Sequence, residues 1–354
     1  MKNNKSISFL IPCLNEAGTI LRVIDKANKA AKKYGITNFE ILVADNGSTD
    51  KSIELIKSYQ KARLVRVPVR GYGAALHWGI IAAKGDYVFF ADADLSYDFM
   101  EIRKFLKFAE GHYDLILGSR YKGRIFEGAM PYLNRYFGTP FLTWLIRIMY
   151  GIKTTDCNSG MRLIKKDFYM KLHMRNSGME WASELILKTA LIGGEYAEVP
   201  INFYRDRRGS VPHLARWTDG WRHLKAILLI KPNFLFLPTI ILLLLALLVF
   251  NSSLSISLLF VQLSFALFLS TLAAKLLNFA IDNRKSTMVV FVMRLPLVLL
   301  GGAITFLAAF IIVLGIFQPE IELFIVGEAA IFDIWVFLIE TIKTHLVNTL
   351  PEKA

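Results

Sequence analysis

Four long apolar stretches follow Pro232, at about 234–250, 254–274, 295–317 and 321–340, and they constrain the fold more than any other feature of the chain. Each nears the ~20 residues that an α-helix needs to cross hydrocarbon. A buried core helix can be equally apolar, but four in succession could not all hide inside so small a domain. The charges between them set an orientation. Arg222, Lys225 and Lys231 precede the first stretch, and Lys275, Arg284, Lys285 and Arg294 line the second connection. The first connection (NSSLS) is uncharged and the third (QPEIE) is acidic. Basic loops stay on the cytosolic side, so both termini are expected there. Residues 233–342 are read as an all-α transmembrane domain of about four helices, and 343–354 as a cytosolic tail. Glu328 and Asp333 fall inside the fourth stretch, where a carboxylate marks either function or a helix end packed on its neighbours.

Charge then separates the two parts of the chain. Residues 231–354 carry seven basic and seven acidic side chains, so the formal charge of +13 falls wholly on residues 1–230. A basic soluble part joined to an apolar one points to phosphate-bearing ligands and an anionic membrane surface. Nucleic acid is set aside, because the basic residues are scattered and no nucleic-acid motif appears. Cys13 and Cys157 stand far apart without metal-ligand spacing, which argues for a reducing compartment and against a disulfide or zinc framework. The opening MKNNKSIS lacks the apolar core of a cleavable signal peptide.

Residues 6–118 alternate short β-rich runs with helical patterns, which predicts a mainly parallel sheet with crossover helices. Strands are expected at 7–12, 39–45, 62–67, 86–92 and 113–119, and helices near 17–34, 50–60, 74–83 and 97–110. Ligands of open α/β sheets bind beyond the carboxyl ends of the strands. Those ends carry Pro12-Cys13-Leu14-Asn15-Glu16, Asp45-Asn46-Gly47-Ser48-Thr49-Asp50, Arg70-Gly71-Tyr72-Gly73, Asp92-Ala93-Asp94 and Gly118-Ser119-Arg120. Alternate residues of an extended chain point the same way, so Asp92 and Asp94 can converge on one hard cation bridging the phosphates of a nucleotide. A D-x-D pair by itself also suits a solvated turn; five polar strand ends on one rim favour the site. Asp45 can accept hydrogen bonds from a base or ribose, while Ser48 and Asp50 are expected to cap the following helix. Gly71 and Gly73 allow either a close approach to a nucleotide or a turn. A dinucleotide-binding fingerprint would follow the first strand, not the third, so a dehydrogenase is rejected.

Taken together, IPCLNEAGTI, LVADNGSTDKS, GYGAAL and FFADADLS resemble the family 2 glycosyltransferases with the GT-A fold. ILGSRYKG, DCNSGMRLIKKD and GMEWASELILKTALIGGEYAEVPINFYRDRRGS narrow the resemblance to polyprenyl- and dolichol-phosphate hexosyl synthases. It runs almost continuously over residues 6–230. It implies an α/β GT-A domain, Rossmann-like and mainly parallel, over 1–204 in the cytosol, and an interfacial amphipathic segment over 205–232 before the membrane helices. The implied reaction moves a hexosyl group, with inversion, from a UDP- or GDP-sugar to a polyprenyl phosphate (undecaprenyl or dolichyl) with Mg2+ or Mn2+. The product would form on the cytosolic leaflet of a bacterial inner membrane, among membrane lipids, with a homotetramer as the implied assembly.

Residue by residue, the resemblance gives Pro12, Leu14, Glu16, Val43 and Asp45 to the nucleoside. It gives Asp92, Ala93 and Asp94 to the metal and diphosphate, with Ser96 where the family often has a metal-ligating Gln. Arg120 would face the sugar or acceptor phosphate, Arg135 and Thr139 the acceptor phosphate, and Arg207 and His213 would close over the donor diphosphate. Arg135 also suits the surface of an interfacial helix over 131–150, and the two readings can coexist; Trp217 and Trp221 suit a second such helix. Arg205 and Arg208 are expected to be surface or headgroup charges. Glu184 stands where transferases acting on hydroxyl acceptors keep their base, and is read here as a structural or positioning carboxylate. Three rivals remain: a processive polysaccharide synthase, whose Q-x-x-R-W motif corresponds to His213-Leu214-Ala215-Arg216-Trp217 without the Gln; a transferase acting on a lipid hydroxyl; and a non-catalytic glycolipid flippase or scaffold subunit.

Overall fold

A computed structural model describes residues 5–208 and 216–249, with six isolated positions between 260 and 271. The chain divides into two compact units, one ending at Ile227 and the next beginning at Leu228. The first unit holds seven strands, β1 (Ile7–Cys13), β2 (Phe39–Asp45), β3 (Arg63–Arg66), β4 (Tyr87–Phe90), β5 (Leu115–Ile125), β6 (Arg162–Lys165) and β7 (Tyr196–Phe203). They form one sheet in the order β3-β2-β1-β4-β6-β5-β7. All neighbours are parallel except β6, which runs antiparallel to both β4 and β5. The five strands expected from sequence are all present. Every residue of β1 and β4 is buried, as strands covered on both faces require.

The crossover helices α1 (Ile20–Lys33), α2 (Ser52–Tyr59), α3 (Tyr72–Ala82) and α4 (Ile102–Ala109) lie where the periodicity places them. On α1 the buried set Ile20, Val23, Ile24, Ala27, Ala30 and Ala31 recurs at three- and four-residue spacing, one face of a 3.6-residue helix. Beneath it Phe89 meets Phe9, Phe99 and Phe105 edge-on, with centroids 6.0, 5.6 and 4.9 Å away. Strands β6 and β7 escape the sequence pattern. In β6 the run is four residues long and begins with an arginine, the opposite of an apolar strand signature.

Gly71 and Gly73 are required by packing. Gly71 has φ 138°, and a Cβ there would lie 2.1 Å from the Ser177 carbonyl oxygen. A Cβ on Gly73 would meet the Trp181 Cβ at 2.5 Å. The start of α3 is therefore pressed against residues 176–178, with Gly73 N donating to Gly178 O and Ala74 N to Ser177 O. Backbone contact of this closeness needs glycine.

The predicted interfacial helix over 131–150 is broken into two parts. A π-helical turn, Asn134–Gly138, precedes α5 (Thr139–Tyr150). Thr139 N donates to Asn134 O, five residues back, and Pro140 has no amide proton for the ladder. Tyr132, Tyr136, Phe137, Phe141, Trp144 and Ile148 stand exposed on this segment. After α6 (Lys166–Lys171) and α7 (Trp181–Leu191), α8 (Arg216–Ile230) leads to the second unit, whose α9 (Phe236–Val249) covers 14 residues. Among the described residues no helix is long and apolar enough to cross a membrane. Most of the predicted four-helix domain, Glu328 and Asp333 included, lies outside them.

Candidate active site

The carboxyl rim of the parallel strands is laced by its own loops. Cys13 at the end of β1 registers with Asp45 at the end of β2. Asp45 receives Gly47 N at 3.1 Å and Ser48 N at 3.2 Å, so its carboxylate shapes the loop that follows it. Ser48 is not a helix cap: its Oγ accepts from Asn15 N at 2.9 Å and ties the two loops together. Asp50 does serve the start of α2, accepting Ser52 N at 2.9 Å, and also holds Ala17 N at 3.0 Å. Val43, expected to touch a nucleoside, is wholly buried in the core, because residues on that face of β2 point under the helices. Pro12 is buried too, whereas Leu14 is half-buried on the rim.

Asp92 and Asp94 follow β4, and the chain turns sharply after them with Leu95 at φ 66°. The Asp92 Oδ1 accepts the Tyr72 hydroxyl at 2.8 Å. A Cβ on Gly160 would fall 2.8 Å from its Oδ2, so that glycine makes the space the carboxylate occupies. Burial, and then the neighbouring Asp94 charge, push the Asp92 carboxyl up to about 6. Asp94 Oδ1 accepts Ser96 N at 2.9 Å. Its Oδ2 receives Arg208 Nη2 at 2.8 Å. Glu16 joins the same cluster, 3.4 Å from Arg208 Nη1, and burial pushes its carboxyl up to about 7. Arg208 is thus not the surface charge expected from sequence; its side chain is 10% exposed and also lies 2.7 Å from Asp206. Its neighbour Arg207 sends its backbone N–H to Asp94 O at 3.0 Å and leaves its side chain exposed. His213 lies outside the described residues.

The donor set suits a small hard cation. Mg2+ and Mn2+ take oxygen ligands and need only one or two carboxylates when phosphates and water complete the shell. Asp92 and Asp94 would supply the carboxylates, and the buried Ser96 Oγ has no hydrogen-bond partner, an orphan that a coordination shell would satisfy. Ala93 is buried between the two acids. Among the described residues no group of three or more His, Cys, Asp or Glu side chains is placed to hold a metal ion by itself.

Within β5, Arg120 is buried and forked onto Asp156, with Nε–Oδ2 and Nη2–Oδ1 both 2.7 Å. That pairing occupies two of its donors, a partner the sequence did not reveal. The adjacent Tyr121 hydroxyl donates to Arg135 O at 2.7 Å. Arg135 is half-buried over the Tyr136 ring and Thr139 is buried, so the rim reaches the segment carrying both. The DCNSGMR motif proves to be a scaffold: Asp156 holds Arg120, Gly160 makes room for Asp92, and Arg162 is fully buried with its guanidinium on the carbonyls of Cys157, Ser159 and Ala182. Glu184 is buried on α7 and accepts Arg175 N at 2.9 Å and Asn176 N at 2.8 Å, with Lys188 at 2.8 Å. Both carboxylate oxygens are thereby engaged, Oε1 by Arg175 N and Lys188 and Oε2 by Asn176 N. Sequence reading missed Tyr72, Gly160 and Asp206; the only signal for them was their nearness to motifs already singled out.

A mainly parallel sheet with acids and a guanidinium gathered at its carboxyl rim defines an α/β protein of GT-A architecture. The same fold is seen in glucosyl-3-phosphoglycerate synthase from Mycobacterium tuberculosis, with a TM-score of 0.51 and 22% identity, covering 63% of this chain and 79% of that one. Residues 8–172 match the family described as Glycosyl transferase family 2. The low-salt glycan biosynthesis hexosyltransferase Agl6 of Haloferax volcanii is 36% identical over 232 residues, 65% of this chain and 55% of that protein. A dolichyl-phosphate hexose transferase of the same organism is 31% identical over 171 residues, 48% of this chain and 71% of its own length. The chain belongs to glycosyl transferase family 2. It spans about half the length of Agl6.

Proposed function

We propose that this protein transfers a hexosyl group from a nucleotide-sugar to a polyprenyl phosphate. The observation that carries the reading is the acidic pair, Asp92 and Asp94, held at the sheet's carboxyl rim by Tyr72, Ser96 and the gap at Gly160. Asp92, Asp94 and the Ser96 hydroxyl would hold Mg2+ or Mn2+, which when bound supplies positive charge for the diphosphate leaving group. Glu16 and Asp45 shape the nucleoside end. A phosphate oxygen of the acceptor attacks the anomeric carbon as the bond from that carbon to the donor's diphosphate oxygen breaks, and the nucleoside diphosphate leaves with the electron pair. One displacement inverts the anomeric centre.

The engagement of Glu184 by two backbone amides favours a phosphate over a hydroxyl acceptor. A phosphate monoester, with a second pKa of about 6, is largely ionised at neutral pH and needs positioning more than a base. Arg135 and Thr139 are proposed to orient it. The name of the dolichyl-phosphate hexose transferase relative supports the same acceptor class. The exposed aromatic face of α5 suits a lipid surface, and with the apolar stretches beyond Pro232 it supports an integral membrane protein working on the cytosolic leaflet. A panel of UDP- and GDP-sugars tested against undecaprenyl and dolichyl phosphate, with products weighed by mass spectrometry, decides the matter. Supporting products carry one hexose on the lipid phosphate and vanish in Asp94→Asn; transfer only to lipid hydroxyls, or turnover undiminished by chelators, rejects the reading.

A further inference from the structure

Arg208 occupies the position where a cation belongs. Its guanidinium faces three carboxylates at once, Asp94 Oδ2 at 2.8 Å, Asp206 Oδ2 at 2.7 Å and Glu16 Oε1 at 3.4 Å. Glu16 and Asp94 are themselves buried, and negative charges this close need a counter-ion. Only the Nη2 contact to Asp94 is aligned as a hydrogen bond; Nε and Nη1 make none despite their nearness. Charge rather than directed bonding thus holds most of the group, and such a contact exchanges readily for a better-oriented one. The backbone beneath it is firmly tied: Tyr204 N donates to Ser96 O at 2.9 Å and Arg207 N to Asp94 O at 3.0 Å. Only the side chain has to move.

We propose that Arg208 is a built-in counter-ion that excludes a lone divalent cation from Asp94 and yields to one only when a nucleoside diphosphate arrives with it. This rests on the reading of Asp92 and Asp94 as the metal-holding pair. A divalent ion and a guanidinium on the same carboxylate repel, so free metal binds against Arg208. Phosphate oxygens offer the guanidinium its preferred planar, two-pronged partner. Arg208 then passes from the carboxylates to the diphosphate, and metal and nucleotide bind with positive coupling that is equal in both directions. The protein avoids filling its donor site with metal alone, and Arg208 becomes a positioning residue for the donor.

Binding of Mn2+ to the full-length protein in nanodiscs, followed by electron paramagnetic resonance with and without UDP or GDP, tests this. Arg208→Gln is expected to bind Mn2+ alone about tenfold more tightly than the unaltered protein, and to lose most of the nucleotide-induced gain in Mn2+ affinity. Arg208→Lys keeps the charge and should stay near the unaltered value. Asp206→Asn loosens the guanidinium from its outer side and should move Mn2+ affinity the same way by about threefold; it keeps the question answerable if Arg208→Gln does not fold. Unchanged or weaker binding of Mn2+ alone in both Arg208→Gln and Asp206→Asn, while Asp94→Asn still abolishes Mn2+–nucleotide binding, overturns the role of Arg208 and spares the metal site. Mn2+ binding that ignores Asp94→Asn even with nucleotide overturns both.

Discussion

At the scale of single residues, the site is governed by atoms that the sequence motifs do not display. Gly160 has an ordinary backbone, yet its missing Cβ is what admits the Asp92 carboxylate at 2.8–3.1 Å. Gly160→Ala is expected to leave the melting temperature within a few degrees while weakening Mn2+–UDP or Mn2+–GDP binding by on the order of tenfold, because the side chain that must shift is the ligand itself; calorimetry reads both effects. Glu184 provides the opposite case. Glu184→Gln retains the shape but weakens the hold on the Arg175 and Asn176 amides and on Lys188. The expected cost is about 1–3 kcal/mol in urea denaturation, with the pH profile of kcat unmoved. A general base would instead lose its limb of that profile.

At the scale of elements, two helices are seated by buried polar contacts. The N-terminal end of α3 rests on residues 176–178 through its glycines, and α8 docks on α7 where Ser183 Oγ meets His223 Nδ1 at 2.8 Å. Tyr150 of α5 adds a bond to Ile227 O at 2.5 Å. Burial, reinforced by the Arg162 charge, pushes His223 down to about 4, and burial does the same to His77 beside Tyr169. Both imidazoles are neutral in the folded protein, while the unfolded chain takes up protons near pH 6.5. Their contribution is therefore present above pH 6.5 and is lost as pH falls toward 4, at roughly 1.4 kcal/mol per pH unit for each. Amide hydrogen exchange in α8 should accelerate over that window, and His223→Gln should flatten the acceleration in α8 while leaving the His77 region unchanged.

At the scale of the molecule, a row of large apolar side chains lies exposed along the π turn and α5. Phe137, Phe141, Trp144 and Ile148 recur at four- and three-residue spacing, and each is more than half exposed. If this face lies in the headgroup region, brominated acyl chains should quench tryptophan fluorescence, and Trp144→Phe should remove a distinct part of that quenching. Equal quenching with and without Trp144 would place the face in water.

The sequence alone determined the alternation of strands and helices, the acidic pair after β4 and the division between a basic part and an apolar one. These follow from local periodicity and composition, which a chain displays without folding. Tertiary structure decided what the side chains at the rim do. Arg120 has its counter-ion 36 residues away in Asp156, and Asp94 has one 114 residues away in Arg208. Val43 turned inward, Asp45 turned to its own loop, and β6 entered the sheet with an arginine at its head. Each depends on contacts between distant segments, formed where a buried charge or an unpaired polar group costs more than the local pattern can show.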